Sequence, residues 1–278
     1  MDVWRLLPFR KGDAAENMAV DEAIFRESIR KGVPPTLRFY GWRTPAVSIG
    51  YSQDVQREID IEACRRFGID IIRRPTGGRA VLHEKELTYA VIAGPDLPLF
   101  PPDILKTYCI ISRCVAKGLS ECGIRAEMKA EERKAGEPPG AACFAFPSRY
   151  ELLVAGRKIC GAAQMRSHGV FLQHGALLMA FDPARNCAVM LPHHDSERQV
   201  DLLRNAVTAV GEHADPSVNE ETLCRALRDG FEQVLGIRIS EGALTPAEEA
   251  LKNALITKKY GSESWNMEGK KTEWISGL

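Results

Sequence analysis

The chain has 278 residues, 45% of them hydrophobic and 27% charged, an ordinary globular mixture that excludes bulk disorder. Lys+Arg and Asp+Glu both total 37, so no net charge exists to hold nucleic acid or an anionic membrane surface. This length suits one large domain, or a domain with a small appendage, whose core needs no metal or disulfide staple.

Strand and helix signals alternate through the first 130 residues. Trp4–Leu7 reads as an edge strand, and Asn17 as the cap of a helix that runs to about Arg30 and stops at Gly32 and Pro34-Pro35. Strands are expected over Thr36–Tyr40, Ala46–Tyr51, Ile69–Arg73, Ala80–His83 and Leu87–Ile92. A short helix over Ile61–Phe67 should end at Gly68, and a long one over Asp103–Cys122 at Gly123. Residues 130–142 are polar and rich in Gly and Pro, a surface loop. Beyond it, Tyr150–Val154, Lys158–Met165, Val170–Gln173 and Ala176–Phe181 read as strands, with a hairpin turn at Ala155-Gly156-Arg157. From Ser196 the pattern is helical: Arg198–Val210, Glu220–Leu235 and Thr245–Lys258. The expected architecture is α+β: a mixed sheet flanked by helices over 1–195, with a small helical region over 196–278 packed on it.

The N-terminal 25 residues have no signal-peptide layout, and no apolar run reaches the roughly 18 residues of a membrane helix. A cytoplasmic protein without a membrane or nucleic-acid partner is expected. Eight cysteines contain no C-x-x-C pair, so reduced thiols and no metal site are expected.

Four segments carry chemistry. Arg73-Arg74-Pro75-Thr76-Gly77-Gly78-Arg79 joins two strands; adjacent glycines admit positive φ and close backbone approach, while the arginines suit a carboxylate, phosphate or thioester carbonyl. The alternative is a tight turn with solvated arginines. Cys143 lies where the polar loop meets the next strand, and Lys158 follows 15 residues later across a possible hairpin. An ammonium near the sulfur would favour a nucleophilic thiolate; the alternative is a packed structural thiol. In Gly156–Gln164 a strand lysine stands beside Gly161, Ala162 and Ala163, which leave room for a ligand. In Leu172–Leu178 a His174-Gly175 step between strands could present an imidazole to a pocket.

Together, RFYGWRTPAVSIGYSQD (38–54), RRPTGGRAVLHEKELTYAV (73–91), GRKICGAAQ (156–164), LQHGALL (172–178) and KKYGSESWN (258–266) resemble the biotin/lipoate protein ligase catalytic-domain family. CFAFPSRYEL followed by GRK is similar to the LipM-type octanoyltransferases within it. The resemblance implies that fold, and an acyltransferase of lipoate biosynthesis with Cys143 as nucleophile and Lys158 beside it. The donor would be octanoyl-acyl carrier protein and the acceptor a lysine of a lipoyl domain, on glycine cleavage H protein or an E2 subunit. Gly77, Gly78 and Arg79 would shape the carbonyl end of the pocket, and His83, Gln164 and His174 would line it. Arg73, Thr76, Tyr89, Gly161, Ala163 and Gly175 complete the implied substrate-binding set. No cofactor is expected, because a thioester is already activated. The alternatives are an ATP-dependent lipoate-protein ligase, which alone would need ATP and magnesium, an amidotransferase between lipoyl domains, and a silent acyl- or lipoyl-domain-binding protein. A basic rim of Arg73, Arg74, Arg79, Arg149 and Arg157 is expected to meet an acidic carrier protein.

Overall fold

The computed structural model describes residues 3–30, 33–94, 99–129, 150–190 and 196–269. In chain order, strand β1 (Val3–Gly12) leads into helix α1 (Ala14–Ile29), then β2 (Thr36–Trp42) and β3 (Ala46–Ile49). Two short helices, α2 (Val55–Glu58) and α3 (Ile61–Phe67), precede β4 (Asp70–Arg73), β5 (Val81–His83) and β6 (Glu86–Ala93). Helix α4 (Ile104–Glu121) is followed by β7 (Glu127–Met128), β8 (Leu152–Val154), β9 (Arg157–Lys158), β10 (Cys160–Ser167) and β11 (Val170–Leu178). The remainder holds α5 (Pro183–Val189), α6 (Ser196–Ala206), α7 (Glu220–Leu235), β12 (Arg238–Glu241), α8 (Pro246–Leu255), a π-helical turn (Ile256–Tyr260) and α9 (Glu263–Glu268).

A six-stranded mixed sheet, ordered β10-β11-β6-β2-β1-β12, forms the centre. Alternation along its strands separates two cores. Leu37, Phe39, Tyr89, Val91 and Phe171 pack with Ile111, Cys114 and Val115 of α4 and Leu227 and Phe231 of α7. Tyr40, Ala90, Ile92 and Leu172 face the other way, onto Met18, Ile24 and Phe25 of α1 and Leu251 and Leu255 of α8. Helices therefore cover both faces of one sheet, and the fold is α+β as expected. A small sheet, β4-β3-β5, lies apart with its own core of Val47, Ile49, Cys64 and Ile69. A second, β7-β8-β9, carries the hairpin. In that hairpin Ala155 and Gly156 both have positive φ (50° and 77°), as a two-residue turn between right-twisted strands requires.

Three expectations are corrected. β1 is not an edge strand: β12 pairs parallel to it from outside, Trp4 against Ile239, so the C-terminal stretch read as helical also supplies a strand. Helix α1 is capped by Asp13, whose side chain accepts from the Glu16 N–H, and not by Asn17. Asn17 is fully buried and donates to the Gly41 carbonyl instead, a tertiary bond that mimics a cap signal in the sequence. His174 and Gly175 lie inside one continuous strand, β11, paired with Ala90 and Tyr89 of β6. A side chain on Gly175 would meet the Tyr89 ring at 2.5 Å, which explains a glycine where no turn exists. Residues 196–269 pack onto the rest through α7 on α4 and α8 on α1; the expected boundary at 195 falls outside the described residues.

Candidate active site

A cavity of about 280 Å³ opens where the central sheet, the small sheet and the hairpin converge. Gly161, Ala162 and Ala163 of β10 lie opposite Ala176, Gly175 and His174 of β11 and form a floor of mostly small residues. Met18, Tyr40, Trp42 and Val81 supply apolar wall, and Gly78 and Arg79 border it from the glycine loop. Lys158 and Glu151 face it from the hairpin, with Nζ and Oε1 2.9 Å apart and side chains 3% and 7% exposed. The hairpin explains the pair: Lys158 lies opposite Leu153, and Glu151 stands just before β8.

The glycine loop is held from beneath. Arg74 donates to the carbonyls of Ser48 (2.9 Å), Gly77 (2.8 Å) and Arg79 (2.7 Å) and to Oγ1 of Thr76 (3.2 Å). Arg73 donates to the carbonyls of Gly50, Tyr51, Gln53, Trp265 and Met267. Both guanidiniums are nearly sealed from water, at 2% and 5% exposure. The expected basic rim is thus corrected for Arg73 and Arg74: backbone carbonyls take up the Arg73 donors, and carbonyls with the Ser48 and Thr76 hydroxyls take up those of Arg74, although Arg74 borders the cavity. Gly78 adopts φ of +92°, and a side chain at Gly50 would meet its carbonyl oxygen at 1.9 Å; the glycines allow two chain segments to touch.

His174 lies with Nε2 2.7 Å from Thr76 Oγ1 and Nδ1 3.4 Å from Asp21 Oδ2. Asp21 also accepts from Arg38 (2.6 Å) and Tyr40 (3.0 Å). Burial pushes the His174 imidazole below its ordinary range despite Asp21 beside it. Although burial opposes it, the Asp21 carboxyl is held low by Arg38 and His174. His83 also borders the cavity, where it stacks on Trp42 at 4.1 Å and bridges Ser48 and Glu86.

The structure brings Gly78, Arg79, His83, Lys158, Gly161, Ala163, His174 and Gly175 to one cavity. Thr76 stands behind His174, and Gln164 bonds Gln173 at 2.8 Å beside it. Arg73, Gly77 and Tyr89 do not border the cavity; Tyr89 is 2% exposed in the α4-side core. Cys143 and Arg149 lie outside the described residues. Among the described thiols, burial pushes Cys160 up to about 12, Cys224 to about 12 and Cys64 to about 11, and raises Cys114, Cys122 and Cys187 as well. No described cysteine borders the cavity. The residues missed from sequence are Ser48, Trp42, Thr88 and Glu151. Ser48 was readable as the one polar position in the apolar string Ala46–Ile49, and Glu151 as a carboxylate seven residues before the strand lysine.

Residues 13–232 match the family model of the lipoyl protein ligase A/B catalytic domain. The chain belongs to that family. It is 41% identical over 274 residues to a protein of Kyrpidia tusciae named octanoyltransferase LipM, covering 96% of this chain and 99% of that one. It is 35% identical to a protein of the same name from Bacillus subtilis, covering 95% and 98%. Among solved structures, a bipartite lipoate protein ligase from Thermoplasma acidophilum, described with its E2 lipoyl domain, superposes with a TM-score of 0.82 at 30% identity, covering 98% and 99%. A lipoate-protein ligase A bound with ATP gives 0.79 at 30% identity, covering 97% and 100%. As a lipoyl protein ligase A/B domain, the chain thus matches its relatives along nearly their whole length.

Proposed function

We propose that the protein is an octanoyltransferase of lipoate biosynthesis that moves an octanoyl group from acyl carrier protein, through a thioester on Cys143, to a lysine of a lipoyl domain. The observation that carries this reading is the buried Lys158–Glu151 pair on the wall of a mostly apolar cavity, in a chain whose near-full-length relatives bear the octanoyltransferase name.

The Cys143 sulfur attacks the thioester carbonyl, and the phosphopantetheine sulfur departs with the thiol proton. The lysine amine of the lipoyl domain then displaces the Cys143 sulfur to give an amide. A covalent intermediate suits two protein substrates that cannot occupy one cavity together. Lys158 supplies the fixed positive charge that favours thiolate and the developing oxyanion. No ATP is consumed, since the donor is already activated. Each buried methylene contributes about 0.8 kcal/mol, so an eight-carbon chain is selected strongly over very short acyls and weakly over its neighbours. None of the seven described thiols borders the cavity, which favours Cys143 as the nucleophile. The acceptor we favour is glycine cleavage H protein.

The test is a pair of incubations with lipoyl domain, one with octanoyl-acyl carrier protein and one with lipoate, ATP and magnesium. Octanoylated lipoyl domain from the first alone is expected; modification in the second alone would contradict the proposal.

A further inference from the structure

Three side chains on the cavity wall, Arg74, Ser48 and His83, form one hydrogen-bonded row with Glu86 behind them. Arg74 Nη1 donates to Ser48 Oγ at 3.0 Å, Ser48 Oγ lies 2.7 Å from His83 Nε2, and His83 Nδ1 lies 2.6 Å from Glu86 Oε1. The ends set the direction, because a guanidinium only donates and a carboxylate only accepts. Trp42 Nε1 (3.1 Å) and Thr88 Oγ1 (2.7 Å) also donate to that same Glu86 oxygen. In a neutral His83, Glu86 draws the ring proton to Nδ1, and the bare Nε2 accepts the Ser48 hydroxyl. The stack on Trp42, with planes 13° apart, holds the ring in place. Ser48 on β3 and His83 on β5 occupy one face of the small sheet, and both border the cavity.

We propose that Ser48 and His83 carry the proton away from the attacking amine in the second half-reaction, with Glu86 fixing the imidazole. The inference rests on the octanoyl transfer proposed above. As the C–N bond forms and the C–S bond breaks, the amine proton passes to Ser48 Oγ while the Ser48 proton passes to His83 Nε2. The resulting imidazolium stays paired with Glu86. The departing thiolate recovers that proton by the reverse route, so amine and thioester become amide and thiol.

The need is specific to this step. An acceptor lysine, with an ordinary pKa of about 10.4, must shed protons to become an amide, whereas exchange between two thiols starts and ends with matched sulfurs. The other bases on the wall are engaged differently. Glu151 holds Lys158, and the row Asp21–His174–Thr76 ends on a hydroxyl that does not border the cavity. The charged or titratable groups facing His83 are Glu86 of β6, Arg74 of the glycine loop and His174 of β11.

The experiment follows the two half-reactions separately: loading of enzyme by octanoyl-acyl carrier protein, and single-turnover transfer from isolated octanoyl-enzyme to lipoyl domain. Ser48→Ala and His83→Gln are expected to slow transfer about 100-fold and loading less than 10-fold. Ser48→Thr should restore most of the rate lost in Ser48→Ala. Transfer within 3-fold of wild type in both variants, or equal losses in Ser48→Thr and Ser48→Ala, would overturn the proton path. A wild-type enzyme that takes up no octanoyl group would overturn the transferase reading, and the path with it.

Discussion

Lys158 and Glu151 face each other in near-complete burial, and such a pair is costly to break but cheap to replace as a unit. Lys158→Met is expected to destabilise the fold by about 3 kcal/mol, because Glu151 would keep a buried charge without its lysine. The double variant Lys158→Met with Glu151→Leu should recover most of that loss in urea denaturation yet leave octanoyl loading at least about 100-fold down. Recovered loading would show that the lysine serves packing alone. His174 ties the stability of the fold to pH. Its imidazole is depressed in the folded state by burial, so below the unfolded value of about 6.5 the unfolded chain binds the extra proton and stability drains as pH falls. Asp21, also depressed, works in the same direction at lower pH. Denaturation midpoints should therefore decrease from pH 7.5 to 5.5, and decrease less in His174→Gln. Parallel curves for the two proteins would refute that assignment.

At the scale of elements, glycines decide how closely strands and helices approach. Helices α4 and α7 cross at Gly118 and Gly230: a side chain at Gly230 would meet Cys114 O and Gly118 N at 2.6 Å, and one at Gly118 would meet Leu227 Cα at 2.7 Å. The helix-propensity gain of alanine, about 1 kcal/mol, is outweighed there by forced separation of the helices, and Gly230→Ala should lower stability by about 1–3 kcal/mol in denaturant titration. A stability equal to or above wild type would contradict the close crossing. Helices α3, α4 and α7 were legible because their apolar spacing and, for the first two, the end glycines Gly68 and Gly123 are local signals. Strand β12 was not, since four residues between two helices gain their strand character only from β1 beside them. The role of Gly175 was hidden for the same reason: Tyr89, which requires it, is 86 positions away in the chain.

Across the whole molecule, the C-terminal segment fastens the site. Lys259 and Tyr260 both bond Glu22 of α1, and the Trp265 indole donates to the Arg73 carbonyl while Arg73 donates back to the Trp265 carbonyl. The glycine loop therefore hangs from residues nearly 200 positions later. Trp265→Ala, at a site 2% exposed, is expected to destabilise the protein by about 3–5 kcal/mol and to weaken octanoyl loading as the loop loosens. Unchanged stability and loading would exclude that coupling. The motif strings, through the family resemblance they carry, implied that Gly78, Arg79, His83, Lys158 and His174 share one site, and all five border the cavity. They gave no hint that Arg73 and Arg74 are scaffolding, because a buried arginine on carbonyls and a solvent-facing one on a ligand are written with the same letter. The proposed transfer depends on an acyl group held by one sulfur. Intact mass of the enzyme after exposure to octanoyl-acyl carrier protein tests it directly: wild type should gain a single octanoyl group that hydroxylamine removes, and Cys143→Ala should gain none. Equal acylation of the two proteins, or full turnover by the alanine variant, would contradict it.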